Sequence, residues 1–267
     1  VTPFVSVRRQ LYLIQIFSDR SLDRQDMTIS EDQDAPFVLN RESIKQGLLQ
    51  QYARDNAHQI PMRIRTDEER EASIQQMLAE TTDGQDVWVF GYGSLMWNPA
   101  FHYAEERPAL LRGYHRRFCF WTPLGRGTPE NPGLMLGLIT GGSCRGLAFR
   151  IAPDLIEQEL EIVWAREMMG DVYQPSWFNL QTEDGPIRAI AFTLNRGHER
   201  YAGNLPVETV TRHVATAAGK LGPCMEYLVN TVDKLEEMGV RRGPMHNLLK
   251  RTRAHRTEVG LDAGLEA

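Results

Sequence analysis

Apolar residues change their spacing once along this chain. Between Arg41 and about Ala79 they are set in polar, helix-favouring stretches; from Val87 onward aromatics, glycines and β-branched residues crowd together. The first 40 residues hold no sustained period and read as a poorly ordered arm. "RESIKQGLLQQYARDN" and "DEEREASIQQMLAE", between Arg41 and about Ala79, predict helices on either side of Pro61, and "TTDGQD" marks a boundary. Strands are expected at Val87–Phe90, Ala109–Trp121, Leu134–Ile139, Gly146–Ile151, Trp177–Gln181 and Arg188–Leu194. "GRGTPENPG" (125–133) joins two of them as a loop. A helix is expected from about Asp154 to Met169, with Asp154 as its N-cap after Pro153. The last third reads as helices near Val207–Ala218, Met225–Met238 and Pro244–Arg253. Strands before and after one helix, then a helical end, predict an α+β domain on a mixed, barrel-like sheet with flanking helices. The expected division is an arm (1–40), a helical extension (41–85), a compact domain (86–255) and a tail (256–267).

Composition narrows the class without naming a function. A chain of 267 residues with 42% hydrophobic and 24% charged residues suits one globular domain plus an extension. A formal net charge of −5 opposes general nucleic-acid binding, which needs a basic surface. The one basic concentration (Arg241, Arg242, Lys250, Arg251, Arg253, Arg256) is expected to be the wet face and tail of a helix. Three scattered cysteines, Cys119, Cys144 and Cys224, suggest a reducing cytoplasm rather than a disulfide scaffold. No metal is expected: there is no CxxC or HExxH, and His115 and Cys119 share a strand-like segment where a four-residue spacing builds no helical face. No run reaches the about 20 apolar residues of a membrane span. Arg8-Arg9 before "LYLIQIF" imitates a signal peptide weakly, without a small-residue cleavage site. The blander account is a leader ahead of a true start at Met27.

The helix around "DLIEQELEIVWAREMMG" carries one misplaced carboxylate. At about 100° per residue, Ile156, Leu160, Val163 and Trp164 all fall within about 60° of Glu167. Glu157 and Glu161 occupy the wet face. A carboxylate in the apolar stripe must lose its charge or find partners, because burying an unpaired ion is costly. Desolvation would raise its pKa and suit it to carrying a proton. The competing reading is a core glutamate paired with Arg126 or Arg116.

A second feature stands at the end of the first strand, "VWVFGYGSLMWNPAF". Gly91 and Gly93 flank Tyr92; they permit φ > 0 and leave no Cβ between backbone and guest. Successive N–H groups there can form an anion nest; the plain alternative is a β-bulge or tight strand exit. A GxGxxG loop would need a glycine at Met96, a Walker lysine is absent, and Ser94 lacks the glycines of a nucleophile elbow.

In this order and spacing, "VFGYGSLMWNPAF", "GYHRRFCFW", "GRGTPENPG", "GLAFRI", "WAREM" and "YAG" resemble the bacterial ChaC-type γ-glutamylcyclotransferases, from about Asp86 to Leu249. The resemblance implies that fold, a catalytic domain over 86–255, and cleavage of a γ-glutamyl bond by internal cyclisation. The implied substrate is glutathione or a related γ-glutamyl peptide, giving 5-oxoproline and, from glutathione, Cys-Gly. It implies no cofactor, nucleic acid, membrane or obligatory protein partner. It assigns Glu167 as general acid/base. The backbone of Val89, Phe90, Gly91, Tyr92, Gly93, Ser94 and Leu95 would hold the glutamyl head, with Arg126, Tyr173 and Tyr201 as further binding residues. Cys224 departs from the family, which often has asparagine there, and is expected to be a small buried residue. Two competing functions remain: a non-catalytic regulatory protein on the same fold, and a cyclotransferase for another γ-glutamyl amine.

Overall fold

The computed structural model describes residues 37–58, 63–82 and 84–261. Most of the arm expected over 1–40, and the Met27 start, lie outside the described residues. Phe37 to Asn40 are described and are held: the Phe37 N–H donates to Lys220 O at 2.9 Å. Asn40 caps helix α1 (Arg41–Lys45) through a reciprocal capping box with Ser43. Helices α2 (Leu48–Asp55) and α3 (Asp67–Leu78) follow, α3 with a Thr66–Glu69 capping box.

Five strands close into a barrel in the order β1-β3-β2-β4-β5. These are β1 (Val87–Gly91), β2 (Glu105–Thr122), β3 (Gly133–Ile151), β4 (Tyr173–Thr182) and β5 (Gly185–Leu194). Neighbours are antiparallel except at the closing seam, where Trp88 and Val89 of β1 run parallel to Ala189 and Ile190 of β5. The two strands expected at 134–139 and 146–151 are one. Gly141 and Gly142 take positive φ (105° and 68°) and bend β3 without ending it. Opposite them Gly113 (φ 83°) stands alone between Arg112 and Tyr114, so the extra residue of the bulge lies in β3.

Helix α4 (Ser94–Trp97) begins as β1 ends, and α5 (Ile156–Glu167) crosses from β3 to β4. Asp154 is not the α5 cap; it is exposed in a 3-10 turn (Pro153–Leu155), and Leu155 precedes the helix without a side-chain cap. The apolar stripe of α5 behaves as its period requires, with Leu160, Val163 and Trp164 fully buried. Trp164 packs edge-on against Phe192 of β5, centroids 5.1 Å apart, and its indole N–H donates to Ser73 on α3 at 3.1 Å. Helices α6 (Val207–Thr216), α7 (Cys224–Glu237) and α8 (Pro244–Glu258) follow β5, with a two-residue strand pair, Ala218–Gly219 and Gly222–Pro223, between the first two. The basic residues of α8 and its approach are exposed, apart from partly covered Arg256. No described helix is long and apolar enough to cross a membrane.

The extension is fastened to α5 by polar links. The fully buried Glu159 accepts from Arg41 of α1 (Nη2 to Oε1, 2.8 Å) and from the His102 N–H (2.8 Å). Buried Gln50 of α2 donates to Ala165 O at 2.6 Å, two residues before Glu167. Beyond α5, the Arg65 N–H donates to Met169 O at 2.9 Å.

Candidate active site

A cavity of about 160 Å³ opens between the end of β1, the last turn of α5 and the walls of β2–β5. Glu167, the last residue of α5, lines it with a side chain only 14% exposed. Burial pushes its carboxyl above the ordinary range, and the neighbouring Arg166 only partly opposes this. Its place among the unpaired carbonyls of a helix C-terminus also disfavours negative charge. The partner is not Arg126 or Arg116: Arg166 Nε donates to Glu167 Oε1 at 3.0 Å. Sequence reasoning missed Arg166 because it sought a partner far along the chain rather than next door in "WAREM".

Arg166 ties the carboxylate to the glycine loop. Its side chain is 3% exposed; Nη1 donates to Asn98 O (2.6 Å) and Pro99 O (3.1 Å), and Nη2 to Ser94 Oγ at 3.1 Å. One guanidinium thus spans Glu167, the Ser94 hydroxyl and the segment after α4.

The loop itself differs from expectation in conformation. Neither Gly91 nor Gly93 has positive φ. Both are required by close approach instead: a Cβ on Gly93 would stand 2.5 Å from the Tyr227 hydroxyl, and one on Gly91 would stand 3.0 Å from Leu95 Cβ. The cavity is lined by Tyr92, Gly93, Ser94 and Leu95. Val89, Phe90 and Gly91 do not line it; they pair in the sheet with Phe149, Ala148 and Leu147.

Three phenols of the barrel and α7 line the cavity, beside Tyr52 of the extension. Tyr92 donates to Phe192 O and Tyr173 to Leu136 O, each at 2.8 Å. Burial pushes both phenols well above their usual value, so they remain neutral. Tyr227 of α7 is the third, and sequence reasoning did not single it out; burial pushes it up to about 12. A buried tyrosine in a helix that also carries the quoted Cys224 was the available signal. Cys224 itself is fully buried, donates to Leu134 O at 3.0 Å, and is pushed up by burial to about 11, which leaves it an unreactive thiol.

Two expected binding residues stand apart from the cavity. Arg126 donates to Pro223 O (2.9 Å) and Glu226 (2.8 Å) and packs its guanidinium over the Tyr227 ring at 5.7 Å, bracing that ring from behind. Tyr201 accepts from Arg117 at 3.3 Å and carries Arg196 over its ring. Its neighbour Arg200, unnoticed in the sequence, does line the cavity. So do Leu39, Leu49, Tyr52 and Ala53 from the N-terminal extension.

The ChaC-like protein family model matches residues 87–255. A glutathione-specific gamma-glutamylcyclotransferase of Escherichia coli (strain K12) is 39% identical over 183 residues, covering 68% of this chain and 79% of its own. Glutathione-specific gamma-glutamylcyclotransferase 1 of Rattus norvegicus is 30% identical over 172 residues, covering 62% of this chain and 78% of its own. Among solved structures, the selenomethionine-labelled glutathione-specific γ-glutamyl cyclotransferase from yeast superposes with a TM-score of 0.59 at 20% identity, over 64% of this chain and 97% of that one. That likeness is one of fold. On the span of the family match and the identity to the bacterial relative, this chain belongs to the ChaC-like protein family.

Proposed function

We propose that this chain is a γ-glutamylcyclotransferase that cleaves glutathione to 5-oxoproline and Cys-Gly. The substrate's own α-amine attacks its γ-carbonyl, so no enzymic serine or cysteine is needed as nucleophile. A C–N bond forms within the glutamyl group as the γ-amide C–N bond breaks, and no water is consumed. The two protons lost by the α-ammonium end on the amine of Cys-Gly. Glu167 is the relay that takes a proton from the attacking nitrogen and returns one to the departing nitrogen. An ordinary carboxylate is a weak base towards an ammonium whose pKa is about 8; raising the carboxyl by burial narrows that gap.

The glutamyl head rests against Tyr92, Gly93, Ser94 and Leu95, with the α-carboxylate on backbone N–H groups of this loop. Holding the head there folds the γ-carbonyl onto the amine, a proximity effect worth several kcal/mol of barrier. Tyr92, Tyr173 and Tyr227 stay neutral and offer hydroxyl oxygens without adding charge. The observation that carries this reading is the burial-raised Glu167 carboxyl, joined through one arginine to the glycine loop at the edge of the same cavity.

The test is incubation of the folded protein with glutathione, γ-Glu-Cys and γ-Glu-Ala, following 5-oxoproline by mass spectrometry. Product from glutathione well above that from the other two is expected. Absence of product from all three would overturn the enzymatic reading.

A further inference from the structure

The cavity contains two arginines in opposite states. Arg166 is saturated by Glu167, Ser94 and two carbonyls. Among the described residues, the guanidinium of Arg200 makes no hydrogen bond and no ion pair, and its Nε is buried without a partner. Its one side-chain contact of note is the face of Phe120, 5.3 Å from the ring centroid. The backbone beneath is fixed: the Trp121 N–H donates to Arg200 O at 2.9 Å, and the Arg200 N–H donates to His198 Nδ1 at 3.1 Å. A cation left unsatisfied in a walled space is costly unless an anion arrives there.

Resting on the proposed reaction, we infer that Arg200 binds the C-terminal carboxylate of the leaving dipeptide and so selects γ-glutamyl peptides with a free terminal carboxylate. Charge balance supports this. Arg166 and Glu167 offset one another, while glutathione carries two carboxylates and one ammonium; Arg200 supplies the complementary positive charge. Position separates the two carboxylates. The loop that receives the glutamyl head is one guanidinium away from Glu167, through contacts of 3.1 and 3.0 Å. Arg200 forms no ion pair with Glu167, although both line the cavity. The leaving half must extend from the reacting carbonyl, and the Phe120 wall with Arg200 gives it an apolar side and a cationic stop. Burial lowers the guanidinium's proton affinity, opposed by Glu199 and Tyr173, yet an arginine stays charged at neutral pH.

The test compares glutathione with its glycine ethyl ester on parent, Arg200→Met and Arg200→Lys proteins, reading 5-oxoproline. Parent protein is expected to prefer glutathione by at least ~10-fold in kcat/KM, the worth of one charge-assisted hydrogen bond. Arg200→Met should lose about that factor on glutathione, chiefly in KM, and almost nothing on the ester; Arg200→Lys should recover part of it. Equal losses on both compounds, or no loss on either, would overturn the inference, as would a parent protein that does not distinguish them. A parent protein that releases 5-oxoproline from neither compound would instead remove the cyclotransferase reading, and this inference with it.

Discussion

The Glu167 carboxyl has one charged partner, Arg166, in a wall otherwise made largely of phenols and apolar groups, so its ionised form is held at a cost to the fold. Glu167→Gln keeps an oxygen for Arg166 Nε and should bind glutathione while losing turnover about 100-fold or more. Parent-like turnover would exclude Glu167 as the proton carrier. Its folded pKa lies above its unfolded value of about 4.3. The stability it contributes is therefore full below that value and lost as pH rises through the folded pKa. Thermal melts should show Glu167→Gln gaining on the parent between pH 4 and pH 7. At this scale a period of 3.6 was enough to turn Glu167 inward, because the stripe of Leu160, Val163 and Trp164 is unambiguous. Arg166, Arg200 and Tyr227 were not legible. Their roles depend on which wall of a closed barrel they meet, and no local spacing encodes that.

Among the elements, α1 adds to its buried Ile44 an ion pair to α5 whose acid is wholly buried. Burial alone would raise the Glu159 carboxyl, but the Arg41 contact and the His102 N–H outweigh it and hold it below the ordinary value. Arg41→Ala leaves that buried carboxylate with only the His102 N–H and should cost about 3 kcal/mol in denaturant unfolding at pH 7. The loss should be full above the unfolded carboxyl value and shrink as pH falls below it through the lower, folded pKa. A replacement of both partners, Arg41→Met with Glu159→Leu, should recover most of the difference; a parent-like Arg41→Ala would show the pair to be idle. Element types were legible from pattern almost throughout, since aromatic and β-branched runs mark the strands and polar, helix-favouring stretches mark the extension. The joining of 134–139 and 146–151 was not. Glycines that usually end a strand here bend one, because Gly141 and Gly142 bulge opposite the single Gly113 of β2 and the pairing resumes beyond them. Asp154 failed as a cap for a related reason: Pro153 starts a 3-10 turn, which delays the α-helix to Ile156.

At the scale of the molecule, the barrel supplies the rigid walls and the N-terminal extension supplies a missing side. The family match begins at residue 87, yet Leu39, Leu49, Tyr52 and Ala53 border the cavity. A chain lacking residues 1–82 should lose most 5-oxoproline release and melt at lower temperature, since Glu159, Trp164 and the Ala165 carbonyl lose partners together. A chain lacking residues 1–26 should match the parent, because the described wall starts at Leu39. Full activity in the shorter chain would show the extension to be a passive cover.

That borrowed side has a pharmacological consequence. A compound gripping only the Tyr92–Leu95 loop and Glu167 engages positions that the family model spans, and would be expected to act broadly on its members. One reaching across to Leu49 and Tyr52 reads side chains outside that span. The α2 face therefore offers a second grip on the cavity, away from the reacting atoms.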